Sequence, residues 1–191
     1  MLNLVIFGPP GAGKGTQSEK LIEKYNLIHI STGDIFRAHI GNDTELGKRV
    51  KEIIAEGNLV PDEVTIAMLR EEVQKHPEAK GFIFDGFPRT VAQAEALDNF
   101  MTEIGDEISV VIALDVTEEE LKERIALRQK KTGRADDAAD KLAKRIDEYF
   151  SKTIHVFPYY EKQEKLSKVN GIGEIEVIFG NLTEIIDPLV K

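Results

Sequence analysis

The chain has 191 residues, with 25 Lys plus Arg against 34 Asp plus Glu, a formal net charge of −9 and no cysteine. That length suits one compact domain with a small excursion. A pI of about 5.1 excludes a non-specific polyphosphate binder such as a DNA-coating protein, so any anionic ligand must be met by a local cluster of positive groups. Without cysteine there is neither a disulfide framework nor a thiolate zinc site. The N-terminal MLNLVIFGPP carries no basic leader and no membrane-length apolar run, from which a soluble cytoplasmic protein is expected.

Residues 2–7, LNLVIF, form a short apolar run ending at Gly and Pro, the pattern of a buried parallel strand. A helical pattern then starts near Gly15 and places Leu21, Ile22 and Tyr25 on one face. LIHI (27–30) is a second strand candidate, and residues 31–75 read as helices with no intervening strand, an excursion from the sheet. GFIFD (81–85) and SVVIALDV (109–116) are further apolar runs, followed by helical segments at 90–103 and 117–129. QKKTGRAD (129–136) is a polar, glycine-containing interruption that resembles a hinge.

From 136 to about 157, Leu142, Ile146, Tyr149, Phe150, Ile154 and Phe157 recur at three- and four-residue spacings, which predicts one long amphipathic helix stopped by Pro158. Tyr159 and Tyr160 read as packing aromatics beyond it. LSKVNG (166–171) is the last strand candidate, before a helix from about 174 to 186. Strands alternating with helices predict an α/β fold, a doubly wound five-stranded parallel sheet with helices on both faces.

GPPGAGKGT (8–16) makes that fold specific. Gly8, Gly13 and Lys14 satisfy G-x-x-x-x-G-K, the phosphate-binding loop of P-loop NTPases, but Gly15 occupies the position of the metal-binding hydroxyl and Thr16 follows one place later. Glycines at 8, 11, 13 and 15 let backbone N–H groups converge on phosphate oxygens, and the following helix presents its positive end to the same anion. Lys14 adds a full charge. With no hydroxyl after the lysine, Mg²⁺ must be held by nucleotide phosphates, water and a carboxylate elsewhere; Asp85, ending GFIFD, is the candidate.

A second anion site is suggested by ISTGDIFR (30–37) and DGFPRT (85–90), which place Arg37 and Arg89 among small turn-forming residues at the expected rim of the sheet. Two guanidinium groups there could clamp another phosphate bidentately. Arg124 and Arg128 lie four apart on one helix face, Arg134 lies in the polar interruption and Arg145 on the following helix. The histidines at 29, 39, 76 and 155 show no metal-ligand spacing and read as solvated or packing residues.

Taken together, GPPGAGKGT, STGDIFR, DGFPRT with Gln93, RIALR and GRADD resemble the adenylate kinases, in that family's order over essentially the whole chain. In that family glycine after the lysine is the usual form. The resemblance implies ATP contacts from Gly11, Ala12, Gly13, Lys14, Gly15, Thr16, Arg124, Arg128 and Gly173. It implies an AMP site of Thr32, Arg37, Asn58, Leu59, Val60, Gly86, Phe87, Pro88, Arg89 and Gln93, with Thr32 and Gln93 matching the adenylate form. Arg134 and Arg145 are assigned to the phosphates between donor and acceptor, and Asp136 and Asp137 match paired lid aspartates.

The catalytic set implied is Lys14, Arg89, Arg128, Arg134 and Arg145, with Asp85 holding Mg²⁺ through water. Only five residues separate Arg128 from Arg134, a short-lid form in which structural zinc has no support. Leu127, where a glycine is common in the family, puts the local hinge geometry in question.

One kinase domain is expected over 1–191: a core of 1–30, 61–127 and 138–191, an AMP-binding segment 31–60 and a lid 128–137. The expected activity is MgATP + AMP ⇌ 2 ADP by a monomer acting on free nucleotides, without nucleic acid or membrane partners. A UMP/CMP-type kinase and a non-catalytic P-loop binding module are the alternatives, and the N-K-x-D motif of a GTPase switch is absent.

Overall fold

The computed structural model describes residues 1–132 and 139–190. Strands β1 (Leu4–Phe7), β2 (Ile28–Ser31), β3 (Phe82–Asp85), β4 (Val110–Asp115) and β5 (Leu166–Asn170) form one sheet in the order β2-β3-β1-β4-β5. Every neighbouring pair is parallel. The chain winds from β1 toward β2 and β3 on one side and then toward β4 and β5 on the other, so the order reverses beside β1. In such a sheet the crevice at the carboxyl ends of the strands, at that reversal, is where ligands bind.

The two faces follow from strand periodicity. Val5 and Phe7 with Phe82, Phe84, Val111 and Ala113 point to one core, closed by Leu69 and Val73 of α4 (Asp62–Gln74) and by Leu97 and Phe100 of α5 (Val91–Glu103). Leu4 and Ile6 with Ile83, Val110 and Ile112 point to the other, closed by Leu21 of α1 (Lys14–Tyr25), Leu121 of α6 (Glu118–Thr132) and Ile178 and Leu182 of α9 (Ile175–Ile186). Buried on both faces, these strands carry apolar residues without alternation, which is why they read as continuous runs.

The excursion consists of α2 (Thr32–Gly41) and α3 (Glu45–Ala55), leading into α4. Phe36, Val50, Val60 and Met68 give it a small core of its own. Among the described residues, no helix is long and apolar enough to cross a membrane.

Two expectations change. The single helix expected from 136 to about 157 is divided: α7 (Ala139–Ser151) is followed by a 3-10 turn, Thr153–Val156, and by α8 (Phe157–Glu161). Pro158 lies in the first turn of α8, where a missing N–H leaves no hydrogen bond unmade, so it begins a helix and does not end one. The break turns Val156 and Tyr160 into the core, both 0% exposed, and leaves Phe150 half exposed. Phe7 then packs on Phe157 and Tyr160 at ring separations of 5.3 and 6.4 Å. Of the hinge expected at 129–136, residues 129–132 are helical, because α6 runs on to Thr132 through good helix formers; residues 133–136 lie outside the described residues.

Ile83, in the middle of the sheet and 0% exposed, reports on this core. Ile83→Ala is expected to lower the unfolding free energy by about 2–5 kcal/mol in urea titration, whereas Val177→Ala on the surface changes it by less than about 0.5 kcal/mol.

Candidate active site

The loop between β1 and α1 is built around an uncapped helix start. Helices α2, α3 and α5 begin with the side chains of Ser31, Thr44 and Thr90 accepting a first-turn N–H. Helix α1 has no such cap: Gly13 precedes it in the left-handed region, and no acid stands in its first turn. Its leading N–H groups and the positive end of its dipole therefore face the cleft, where an anion would complete them. Gly11 has φ 89° and its missing Cβ would lie 2.8 Å from Ile125 Cγ1, so glycine is required both for the turn and for the packing of α6 beneath it.

Lys14 opens that helix, its Nζ donating to the carbonyl oxygens of Gly8 at 2.7 Å and Pro9 at 3.4 Å. Burial lowers its ammonium to about 8; Asp85 opposes the shift, while Arg89, Arg145 and Arg128 add to it. Asp85, at the end of β3, is registered between Ile6 and Ser31. Burial alone would raise its carboxyl, yet His29, whose Nε2 lies 3.5 Å away, together with Lys14 and Arg89 holds it below the usual carboxylate value.

An ionised, nearly enclosed carboxylate beside the P-loop fits a magnesium ion carried by nucleotide phosphates. No group of three His, Cys, Asp or Glu able to hold a metal occurs among the described residues, so the phosphates would supply most of the ligands.

Two adjoining cavities open at this edge of the sheet. The larger, roughly 680 Å³, is lined by Gly11 to Thr16, Asp85, Pro88, Arg124, Arg128 and Gly173. The smaller, roughly 70 Å³, is lined by Thr32, Asn58, Leu59, Val60 and Gln93. Arg37, Leu59, Gly86, Arg89 and Arg145 are among the residues that line both. Phe87 lines neither; its ring is 1% exposed in the core. Arg134, Asp136 and Asp137 lie outside the described residues.

Arg89, Arg37 and Arg124 are oriented by local partners. Arg89 Nε donates at 2.7 Å to the carbonyl of Gly86, which also accepts from Thr32 Oγ1 at 2.9 Å. Gly86 has φ 76°, and a Cβ there would meet Thr32 Oγ1 at 2.9 Å and Arg89 NH2 at 3.0 Å. Arg37 pairs with Asp34 one turn earlier. Arg124 is held three ways: by Glu120 at 2.7 Å, by the Ala12 carbonyl at 3.2 Å and by the Gly171 carbonyl at 3.0 Å. It thereby straps the P-loop to the turn that leads to Gly173.

A family model described as adenylate kinase matches residues 6–165. Adenylate kinase from Flavobacterium johnsoniae is 54% identical over 190 residues, 99% of this chain and 100% of its own length. The enzyme from Bacteroides thetaiotaomicron is 48% identical over 189 residues, again 99% and 100% of the two chains. The chain belongs to the adenylate kinase family. It is accordingly a phosphotransferase acting on nucleoside monophosphates. A more distant adenylate kinase, from Caulobacter vibrioides, is 43% identical over 188 residues and 98% of each chain.

Sequence reasoning missed three residues of this adenylate kinase site. His29, set aside as solvated or packing, faces Asp85. Glu120 orients Arg124, a pair that i,i+4 spacing could have revealed. Asp62 bonds Thr90 and Gln93 across 28 and 31 residues, a pairing with no local sequence signal.

The depressed Lys14 gives a pH signature. An ammonium at about 8 is mostly charged at neutral pH and is lost as pH rises through that value, so the free protein then lacks the cation a phosphate needs. Without Mg²⁺, the dissociation constant for ATP is expected to rise above about pH 8 by up to about tenfold per unit, a single-proton linkage. Lys14→Met should bind weakly at every pH and lose the slope; an affinity flat to about pH 9.5 in the unmodified protein contradicts the assignment.

Proposed function

We propose that the chain transfers the terminal phosphoryl group of ATP to AMP, giving two ADP, with ATP in the larger cavity and the base of AMP in the smaller, its phosphate on the arginines that line both. The observation that carries this reading is that Arg89 and Arg145 line both cavities. A group passing between two phosphates needs positive charge along its path more than it needs a base, because the transition state is loose and its charge spreads over oxygens.

In this reading the P-loop amides and the start of α1 cradle the ATP phosphates. Lys14 leaves the Gly8 carbonyl to follow the migrating group. Arg37 and Arg89 hold the acceptor phosphate, while Arg128, Arg145 and Arg134 stabilise the charge in flight. Mg²⁺, held through water by Asp85, would neutralise phosphate charge. Segments 31–60 and 128–137 close over the remaining core and exclude water, so hydrolysis does not compete. The protein acts as a cytoplasmic monomer on free nucleotides, a reading that rests on the family resemblance.

Parallel assays of MgATP with AMP, UMP, CMP and GMP test the acceptor, following the diphosphates formed with a no-Mg²⁺ control. A strong Mg²⁺-dependent preference for AMP is expected, and a pyrimidine preference would overturn it. Arg89→Ala should lower kcat/KM by at least about 100-fold with the circular dichroism spectrum unchanged; near-normal turnover in the folded variant removes Arg89 from the mechanism.

A further inference from the structure

Gln93 is 2% exposed and lines the smaller cavity. A glutamine amide has an accepting end and a donating end of nearly equal shape, so an unpinned one can turn either toward a ligand. Here both ends are pinned. The Arg89 backbone N–H donates to Gln93 Oε1 at 2.7 Å, and Gln93 Nε2 donates to Asp62 Oδ1 at 2.7 Å. Asp62 Oδ2 accepts from Thr90 Oγ1 at 2.9 Å, and that hydroxyl accepts the Gln93 backbone N–H at 3.2 Å. A backbone N–H can only donate and a carboxylate can only accept, so these two neighbours permit one orientation of the amide between them.

The lock also spans the walls of the cavity. Asp62 is the first residue of α4, just beyond the lining residues Asn58 to Val60, while Thr90 and Gln93 belong to the start of α5 after the Arg89 loop. Each end of the amide keeps one further hydrogen-bonding position, a lone pair on Oε1 and a hydrogen on Nε2. An acceptor beside a donor complements a 6-aminopurine, which offers an amino donor beside a ring-nitrogen acceptor. A 6-oxopurine offers an oxygen acceptor beside a protonated ring nitrogen, the reverse pattern. The Asp62 charge polarises Nε2–H and strengthens Oε1 as the acceptor.

We propose that Asp62 is a positioning residue for base selectivity: acting through Gln93, it makes the acceptor site discriminate 6-aminopurine from 6-oxopurine monophosphates. This rests on the reading above that the smaller cavity takes the base of AMP and that Gln93 meets it.

The test is kcat/KM for AMP and for IMP, with saturating MgATP, in the unmodified protein, Asp62→Asn and Gln93→Leu. Asparagine can donate as well as accept, so it lifts one of the two constraints and leaves the Arg89 N–H alone to oppose a turned amide, while removing the carboxylate charge that strengthens Oε1. Asp62→Asn is expected to reduce the AMP-to-IMP ratio by about tenfold, through a higher KM for AMP and a gain for IMP, with KM for MgATP unchanged. Should Asp62→Asn not fold, Asp62→Ser, which also donates and accepts, takes its place with the same expected direction.

A merely structural Asp62 would lower both kcat/KM values by one factor; a constant ratio overturns the proposal. If Gln93→Leu collapses the ratio while the Asp62 variant preserves it, the proposal alone fails. If Gln93→Leu leaves the ratio unchanged, Gln93 does not read the base, and the proposal falls together with that reading.

Discussion

The site depends on a cation held where its charge is disfavoured, at a helix start that no side chain caps. Burial pulls the Lys14 ammonium down to about 8, and three arginines pull the same way. The N–H groups at the uncapped start of α1 add partial positive charge at the same place. These like-signed groups repel one another, and in the proposed reading a polyphosphate would neutralise them together. The free protein thus holds these charges at the cleft in advance of a ligand, with Lys14 resting on the Gly8 carbonyl.

The remaining architecture serves to keep that arrangement in place. A parallel sheet buried on both faces fixes the carboxyl ends of β1, β2 and β3 in register, so Asp85 and the P-loop cannot drift apart. Acids limit the positive charge locally and direct it: Asp85 opposes the depression of Lys14, Glu120 aims Arg124, and Asp34 pairs with Arg37. The chain as a whole carries −9, so the attraction for phosphate belongs to the cleft and not to the general surface. Such a distribution suits a small anionic substrate and disfavours loose association with long polyanions.

Much of this was legible in the sequence because its signals are local. The apolar runs of the strands, the glycines of the P-loop and the placement of Arg37 and Arg89 beside turn residues each state their structure within a few positions. What escaped is long-range or depends on packing. Pro158 was read as a stop because proline ends helices more visibly than it begins them, and only the burial of Val156 and Tyr160 shows that the chain turns before it. His29 acquires its partner through the β2–β3 register. Asp62 finds Gln93 only after α4 packs beside α5, and no spacing rule announces such a contact.

In the proposed reaction two nucleotides occupy two adjoining cavities and share the arginines between them. Calorimetric titration of AMP into the protein saturated with Mg²⁺ and a non-transferable ATP analogue tests it most directly. One AMP bound per chain without displacement of the analogue is expected, with Arg145→Ala weakening both nucleotides. AMP that competes with the analogue for a single site would contradict it.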